Sequence, residues 1–284
     1  MASSRPLDLD GAVVAVTGGA RGIGLAITKA MQAAGARVCI GDVDVELAQA
    51  EAKRLGVHAE KLDVRQRESF AAFLDATRQA LGPIDVLVNN AGIMPMGAFT
   101  QEDPALVDAQ IDINFRGVIY GMQLALPDML SRGRGHIVNI ASLAGRFAVP
   151  GAAVYTGTKY AVVGMTEAVA AENRDSGVSF TTIMPSKVMT ELASGTDDAG
   201  RGIPAVTPED VADAVVNAIR HPRLMVAVPD YLQTAHALYG LVPGWLQERG
   251  RRLLGDNRIL TSLDIKARGA YDKRLAALSA KSDT

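Results

Sequence analysis

The sequence predicts an α/β fold: a doubly wound parallel sheet of seven strands with helices on both faces, followed by a helical extension. Three observations carry this. Short apolar runs rich in Val and Ile recur along the chain, the composition of strands buried on both faces. Amphipathic helical segments alternate with them across short connections, which demands parallel pairing by crossover. The first such unit also carries a glycine-rich turn between its strand and its helix.

Gly11–Val16 reads as the first strand. It runs into Thr17-Gly-Gly-Ala-Arg-Gly-Ile-Gly24 and then a helix with Ile23, Ile27, Ala30 and Met31 on one face, ended near Gly35. Gly18, Gly22 and Gly24 let backbone approach a pyrophosphate at a helix N-terminus. Arg37–Ile40 is the second strand and delivers Asp42. A carboxylate there accepts hydrogen bonds from both adenosine ribose hydroxyls and repels a 2′-phosphate, which favours NAD over NADP. Arg21 is the opposing sign, since a guanidinium in the glycine turn can pair with that phosphate. The alternative for Asp42 is a turn or helix-cap residue before the helix that follows.

The pattern continues with a helix over Val45–Leu55, a strand over Val57–Leu62 ending at Asp63-Val64, and a helix over Gln66–Leu81. Ile84–Val88 is the fourth strand and leads to Asn89-Asn90-Ala91-Gly92, where amide side chains can bridge neighbouring loops. Leu106–Leu130 reads as one long helix containing Asn114 among apolar neighbours, a placement that requires partners if buried. His136–Ile140 is the fifth strand and brings the chain to Ser142. The next helix, Tyr155–Arg174, carries Tyr155 and Lys159 four positions apart and therefore on one face. An ammonium beside a phenol favours the phenolate and pulls its pKa from ~10 towards neutrality, which suits acid–base work. The Ser142 hydroxyl can hold a substrate oxygen in front of that phenol. Val178–Met184 is the sixth strand, stopped by Pro185; Thr207-Pro208 opens a helix over Glu209–Ile219, and Leu224–Val228 is the seventh strand.

The ordered set Thr17-Gly-x-x-x-Gly-x-Gly24, Asp63, Asn89-Asn-Ala-Gly92, Asn114, Ser142 and Tyr155-x-x-x-Lys159 resembles the short-chain dehydrogenase/reductase family, from about Leu9 to Pro229. The resemblance implies a Rossmann-type fold and a catalytic tetrad of Asn114, Ser142, Tyr155 and Lys159. Tyr155 would be the general acid/base, and Lys159 would lower its pKa and bind the nicotinamide ribose. Ser142 would orient the substrate oxygen, and Asn114 would hold a water linked to Lys159. It further implies cofactor contacts from Gly18, Arg21, Gly22, Ile23, Gly24, Asp42, Asp63, Val64, Asn90, Ala91, Gly92, Tyr155, Lys159, Pro185 and Thr190. One departure is Ser186, where the family commonly has Gly after Pro; serine tolerates positive φ poorly, so this loop is expected to take another path.

Substrate contacts are expected from loops beyond the strand ends: Met94, Met96, Ser142, Phe147, Val149, Tyr155 and Met189, a mostly apolar and adaptable set. Lys187–Ile203, with Gly195, Gly200 and Gly202, suits a mobile lid. Residues 1–230 are expected to form the dinucleotide-binding and catalytic domain, and 231–284 an extension. In that extension Ala235, Leu238, Tyr239, Val242, Trp245 and Leu246 make an apolar stripe, followed by Arg249, Arg251, Arg252 and Arg258. It can cap the substrate site, pack on a second subunit or lie on a membrane surface.

The expected activity is interconversion of a hydrophobic alcohol with its ketone or aldehyde, using NAD, with NADP possible. The alternatives are an NADP-preferring carbonyl reductase and a catalytically idle nucleotide sensor. A formal net charge of −2 gives no reason to expect a nucleic-acid partner. Cys39, the single cysteine, sits in an apolar strand run, so neither an intrachain disulfide nor a cysteine zinc site is expected, and no metal is. The polar N-terminus and the absence of a long apolar run make the cytoplasm the expected compartment. A homodimer or homotetramer is expected, with Ala161, Val162, Ala168 and Val169 suited to helix packing between subunits.

Overall fold

The computed structural model describes residues 6–196, 204–234, 242–254, 260 and 262–279, with backbone alone at 250–254 and 277–279. Strands β1 (Val13–Thr17), β2 (Arg37–Asp42), β3 (His58–Lys61), β4 (Val86–Asn89), β5 (Gly135–Ile140), β6 (Val178–Pro185) and β9 (Met225–Val228) form one seven-stranded parallel sheet. Their order is β3-β2-β1-β4-β5-β6-β9, so the winding reverses between β1 and β4. A cleft opens at such a reversal, beyond the carboxyl ends of the strands, because successive crossovers leave on opposite faces there.

Each face of the sheet has its own core. Val14 and Val16 of β1 pack with Ile27 and Met31 of α1 (Gly22–Ala33) and with Val211, Val215 and Ile219 of α7 (Pro208–Arg220). Val13 and Ala15, pointing the other way, pack with Phe70, Phe73 and Leu74 of α3 (Arg67–Leu81), with Met122 and Met129 of α5 (Gly117–Arg132), and with Val162 of α6 (Ala153–Glu172). Val162 is fully buried in that core, and Val169 is partly buried against it. Cys39 is buried as expected, and burial pushes its thiol up to about 11.

Local chemistry explains the element ends. Asp44, not Asp42, caps α2 (Val45–Leu55) by accepting from the Leu47 amide, which leaves Asp42 for the cleft. Thr207 and Asp210 form a reciprocal capping box ahead of Pro208. The long helix expected over Leu106–Leu130 is α4 (Pro104–Ile111), a π turn over Asp112–Arg116, and α5. The π turn is where Asn114 is swung fully inward.

The departure at Ser186 is absorbed without strain, since among the described residues none other than glycine has positive φ. The Ser186 hydroxyl donates to Pro204 O at 2.7 Å, and β7 (Lys187–Val188) pairs with β8 (Ala205–Val206). The segment expected to act as a lid is therefore tied at its base, and Gly195 O accepts from Asp264 N at 3.0 Å. Gly200 and Gly202 lie outside the described residues, as do Ala235, Leu238, Tyr239 and Arg258 of the stripe. Beyond β9 the chain forms α8 (Gly244–Leu254), where Trp245 and Leu246 are exposed, and α9 (Ile265–Ser279), which packs back onto the domain. Among the described residues no helix is long and apolar enough to cross a membrane.

Candidate active site

A cavity of about 740 Å³ lies along the carboxyl ends of β1, β2, β4, β5 and β6. At one end the glycine turn builds an anion cradle. Gly18 and Gly22 have positive φ, and a Cβ on Gly24 would lie 2.1 Å from Gly18 O, so no side chain can stand there. Gly24 thus lies beneath the turn rather than in the cavity wall, and acts by letting α1 start directly under it. The N-cap of α1, Arg21, makes no side-chain cap bond, and no acidic residue occupies the first turn. Its amides stay open to an anion, and Gly22 and Ile23 line the cavity.

Asn90 holds this turn in place. Its Nδ2 donates to Thr17 O at 2.9 Å and Gly18 O at 3.1 Å, while the Thr17 hydroxyl accepts from the Asn90 and Ala91 amides. Asp42, buried at the end of β2, accepts from Ala20 N and Asp44 N, each at 3.1 Å, and its carboxylate keeps lone pairs for a ribose. The Arg21 guanidinium is paired with Asp44, which compensates the charge that would otherwise attract a 2′-phosphate. Asp63 and Val64 line the next stretch, where Arg65 chelates the Asp63 carboxylate. Burial raises the Asp63 pKa, but the Arg65 bonds outweigh it and hold the carboxyl below its usual range. Ala91, Gly92, Pro185 and Thr190 complete this wall. The turn, the open helix end and the ribose-facing carboxylate fit a nicotinamide dinucleotide.

At the middle of the cavity Ser142, Tyr155 and Lys159 come together. Ser142 leaves β5 in extended conformation, caps the short turn Leu143–Gly145 by accepting from Ala144 N at 3.1 Å, and stands beside the Tyr155 phenol. Lys159 Nζ donates to Ile140 O at 2.9 Å and lies 5.5 Å from the centre of the Tyr155 ring. The expected lowering of the phenol pKa does not occur in this arrangement. Burial pushes Tyr155 up to about 12, the Ser142 hydroxyl pulls against it, and the nearby Tyr271 adds to the rise. Burial also pushes Lys159 down to about 8. Asn114 does not line the cavity; it stands behind the wall, accepting from Ile93 N and donating to Ile93 O at 2.8 Å each, and so fixes the segment after Gly92.

The far end is apolar. Met94, Met96, Phe147 and Val149 line it as expected, with Ala144, Ala152, Leu192 and Leu275. Met189 does not: strand alternation turns Val188 inward and leaves Met189 57% exposed. Sequence reasoning missed Tyr271, Arg274 and Leu275, which α9 brings to this wall. Tyr271 Oη accepts from Met94 N at 2.9 Å. Among the described residues no cluster of His, Cys, Asp and Glu could hold a metal.

Comparison with known proteins agrees with this geometry. The profile of the family described as short chain dehydrogenase matches residues 12–200. An uncharacterized oxidoreductase of Staphylococcus saprophyticus is 33% identical over 222 residues, covering 76% of this chain and 94% of that one. A 3-alpha-(or 20-beta)-hydroxysteroid dehydrogenase of Mycobacterium bovis is 35% identical over 235 residues, covering 81% of this chain and 85% of that one. A crystal structure of a short chain dehydrogenase/reductase from Burkholderia phymatum in complex with NAD matches with a TM-score of 0.75 and 25% identity, covering 82% of this chain and 94% of that one.

Proposed function

The chain belongs to the short-chain dehydrogenase family of oxidoreductases, and from that premise we propose that it interconverts a hydrophobic alcohol and its ketone or aldehyde, with NAD preferred to NADP. The observation that carries the reading is the meeting of Ser142, Tyr155 and Lys159 in the cavity whose other end is the glycine cradle. When bound, a nicotinamide dinucleotide supplies or takes up a hydride. Asp42 would hold the adenosine ribose, and the first-turn amides of α1 would hold the pyrophosphate.

Tyr155 carries the proton. With its pKa pushed up to about 12 the phenol is neutral at pH 7, so it stands ready to protonate the carbonyl oxygen during reduction. In the opposite direction it takes that proton back. Ser142 sits beside the phenol and orients the reacting oxygen. Lys159, anchored on Ile140 O, presents its positive charge 5.5 Å from the centre of the same ring and favours the phenolate that forms once the proton has left. The apolar far wall suits a bulky carbon skeleton; the related hydroxysteroid dehydrogenase makes cyclic secondary alcohols the first class to try.

Tyr155→Phe tests the assignment. It should bind NADH as the parent does and lose ~100-fold or more in turnover with any accepted alcohol or ketone, the usual contribution of a positioned acid/base. Unchanged turnover removes Tyr155 from the reaction. Absence of turnover in the parent across steroid, aliphatic and cyclic substrates, with NADH bound, favours the idle sensor instead.

A further inference from the structure

The apolar far wall contains one buried hydroxyl whose proton has no use within the protein. Tyr271 is 6% exposed, and its Oη accepts the Met94 amide at 2.9 Å. That bond occupies an oxygen lone pair and leaves the phenolic hydrogen uncommitted. Among the described residues nothing accepts it. A phenylalanine would fill the same volume without burying a polar hydrogen, so packing does not explain the hydroxyl.

Its position is fixed rather than incidental. One turn earlier on α9, Arg268 is 1% exposed and donates to Leu192 O at 3.2 Å, Ser194 O at 3.4 Å and Met94 O. The same guanidinium stands 4.8 Å from the centre of the Tyr271 ring. The phenol is therefore clamped to Met94, a residue that packs in the cluster holding Tyr155. Arg274, the cation that α9 brings into the lining of this wall, is already paired with Glu191. A neutral oxygen therefore suits this wall better than a carboxylate.

Resting on the alcohol–ketone reading of the site, we propose that Tyr271 is a positioning residue that donates its phenolic proton to a second, neutral oxygen of the substrate, so that the site selects hydrophobic ketones or alcohols bearing a neighbouring hydroxyl or carbonyl. Tyr155 and Ser142 address the reacting oxygen, and Tyr271 addresses the other. A site built around such a donor discriminates against the analogue that lacks the acceptor, because the buried hydroxyl is then left unpaired.

The test compares 2-hydroxypropiophenone with propiophenone. For wild type and Tyr271→Phe, kcat/KM is measured with NADH, and Kd in the NADH complex is read by quenching of NADH fluorescence. Wild type should bind the hydroxyketone roughly tenfold more tightly than the plain ketone. In Tyr271→Phe that preference should vanish, whatever the loss common to both ketones from the Met94 amide left without its acceptor. The ratio of the two kcat/KM ratios cancels the intrinsic reactivity of the ketones, and a general structural defect lowers both compounds alike. Equal wild-type affinities overturn the proposal without recourse to the variant, as does a preference that survives in Tyr271→Phe. If neither ketone turns over but the Kd preference is present and lost on substitution, the role of Tyr271 stands and the redox reading falls.

Discussion

Removing the buried guanidinium of α9 should release that helix from the active site. In Arg268→Met the carbonyls of Met94, Leu192 and Ser194 lose their donor together. Each orphaned acceptor costs about 1–3 kcal/mol when buried. The low end applies here, because the three line or adjoin a cavity that water can enter and because the substitution also recovers the desolvation cost of the buried cation. Three losses near 1 kcal/mol give about 3 kcal/mol, comparable to burying one or two large side chains at about 1.5–3 kcal/mol each. Among the described residues of α9, Tyr271 and Leu275 are the large apolar side chains buried in the wall. Arg268 thus contributes about as much to docking as they do. Local opening of Ile265–Ser279 should become on the order of a hundredfold more frequent. Amide hydrogen exchange read by mass spectrometry checks this, with peptides of 265–279 expected to exchange faster and those of β5 to be unchanged. Substrate KM should rise with little change in NADH affinity. Exchange of α9 within twofold of wild type, or equal acceleration of β5, refutes the account of Arg268 as the latch.

Two other outcomes follow from the same geometry. Asp42→Asn keeps the shape at the end of β2 and removes the charge that opposes a 2′-phosphate; at ~5 Å and an effective dielectric of ~20 that repulsion is ~3 kcal/mol, so the NADP/NAD ratio of kcat/KM should rise by ~100-fold. A parent that already prefers NADPH contradicts the role given to Asp42. For Lys159 the folded pKa of about 8 lies below the ordinary 10.5, so the unfolded chain binds the extra proton between these values and stability should rise with pH across that window. Thermal unfolding of wild type and Lys159→Met at pH 7 and pH 10.5 should show the variant ahead at the lower pH and the gap narrowing at the higher; a gap independent of pH counts against burial as the cause.

Much of the fold is legible because its cause is local. Val13–Thr17 is entirely buried, and a run apolar in all but its last residue between a turn and a glycine loop has few other stable placements. The glycine turn is equally plain, since positive φ at Gly18 and the lack of room at Gly24 are demands that only glycine meets. The π turn at Asn114 is not legible in this way: the sequence on either side favours helix, and the extra residue per turn is decided by the two bonds that Ile93 makes with the Asn114 amide. Ser186 was readable as a departure but not in its consequence. The acceptor that accommodates it, Pro204 O, lies eighteen residues away.

The site divides along the same line between donors, which a sequence displays, and acceptors, which folding supplies. Tyr155 and Lys159 could be paired from their spacing, yet the direction of the phenol pKa could not, because burial of the phenol by the folded chain dominates it. Helix α9 is the sharper case. Arg268, Tyr271 and Leu275 recur at helical spacing and share the buried face, but in sequence they stand among Lys266, Lys273 and Arg274, where a cation ordinarily means solvent. What makes Arg268 an interior residue is its ion pair with Asp272 one turn on, Nε to Oδ1 at 3.0 Å, together with three backbone carbonyls brought together from two distant loops. No property of residues 265–279 contains those carbonyls, so the pattern could be identified as a core face only once Met94 and Leu192–Ser194 had been placed against it.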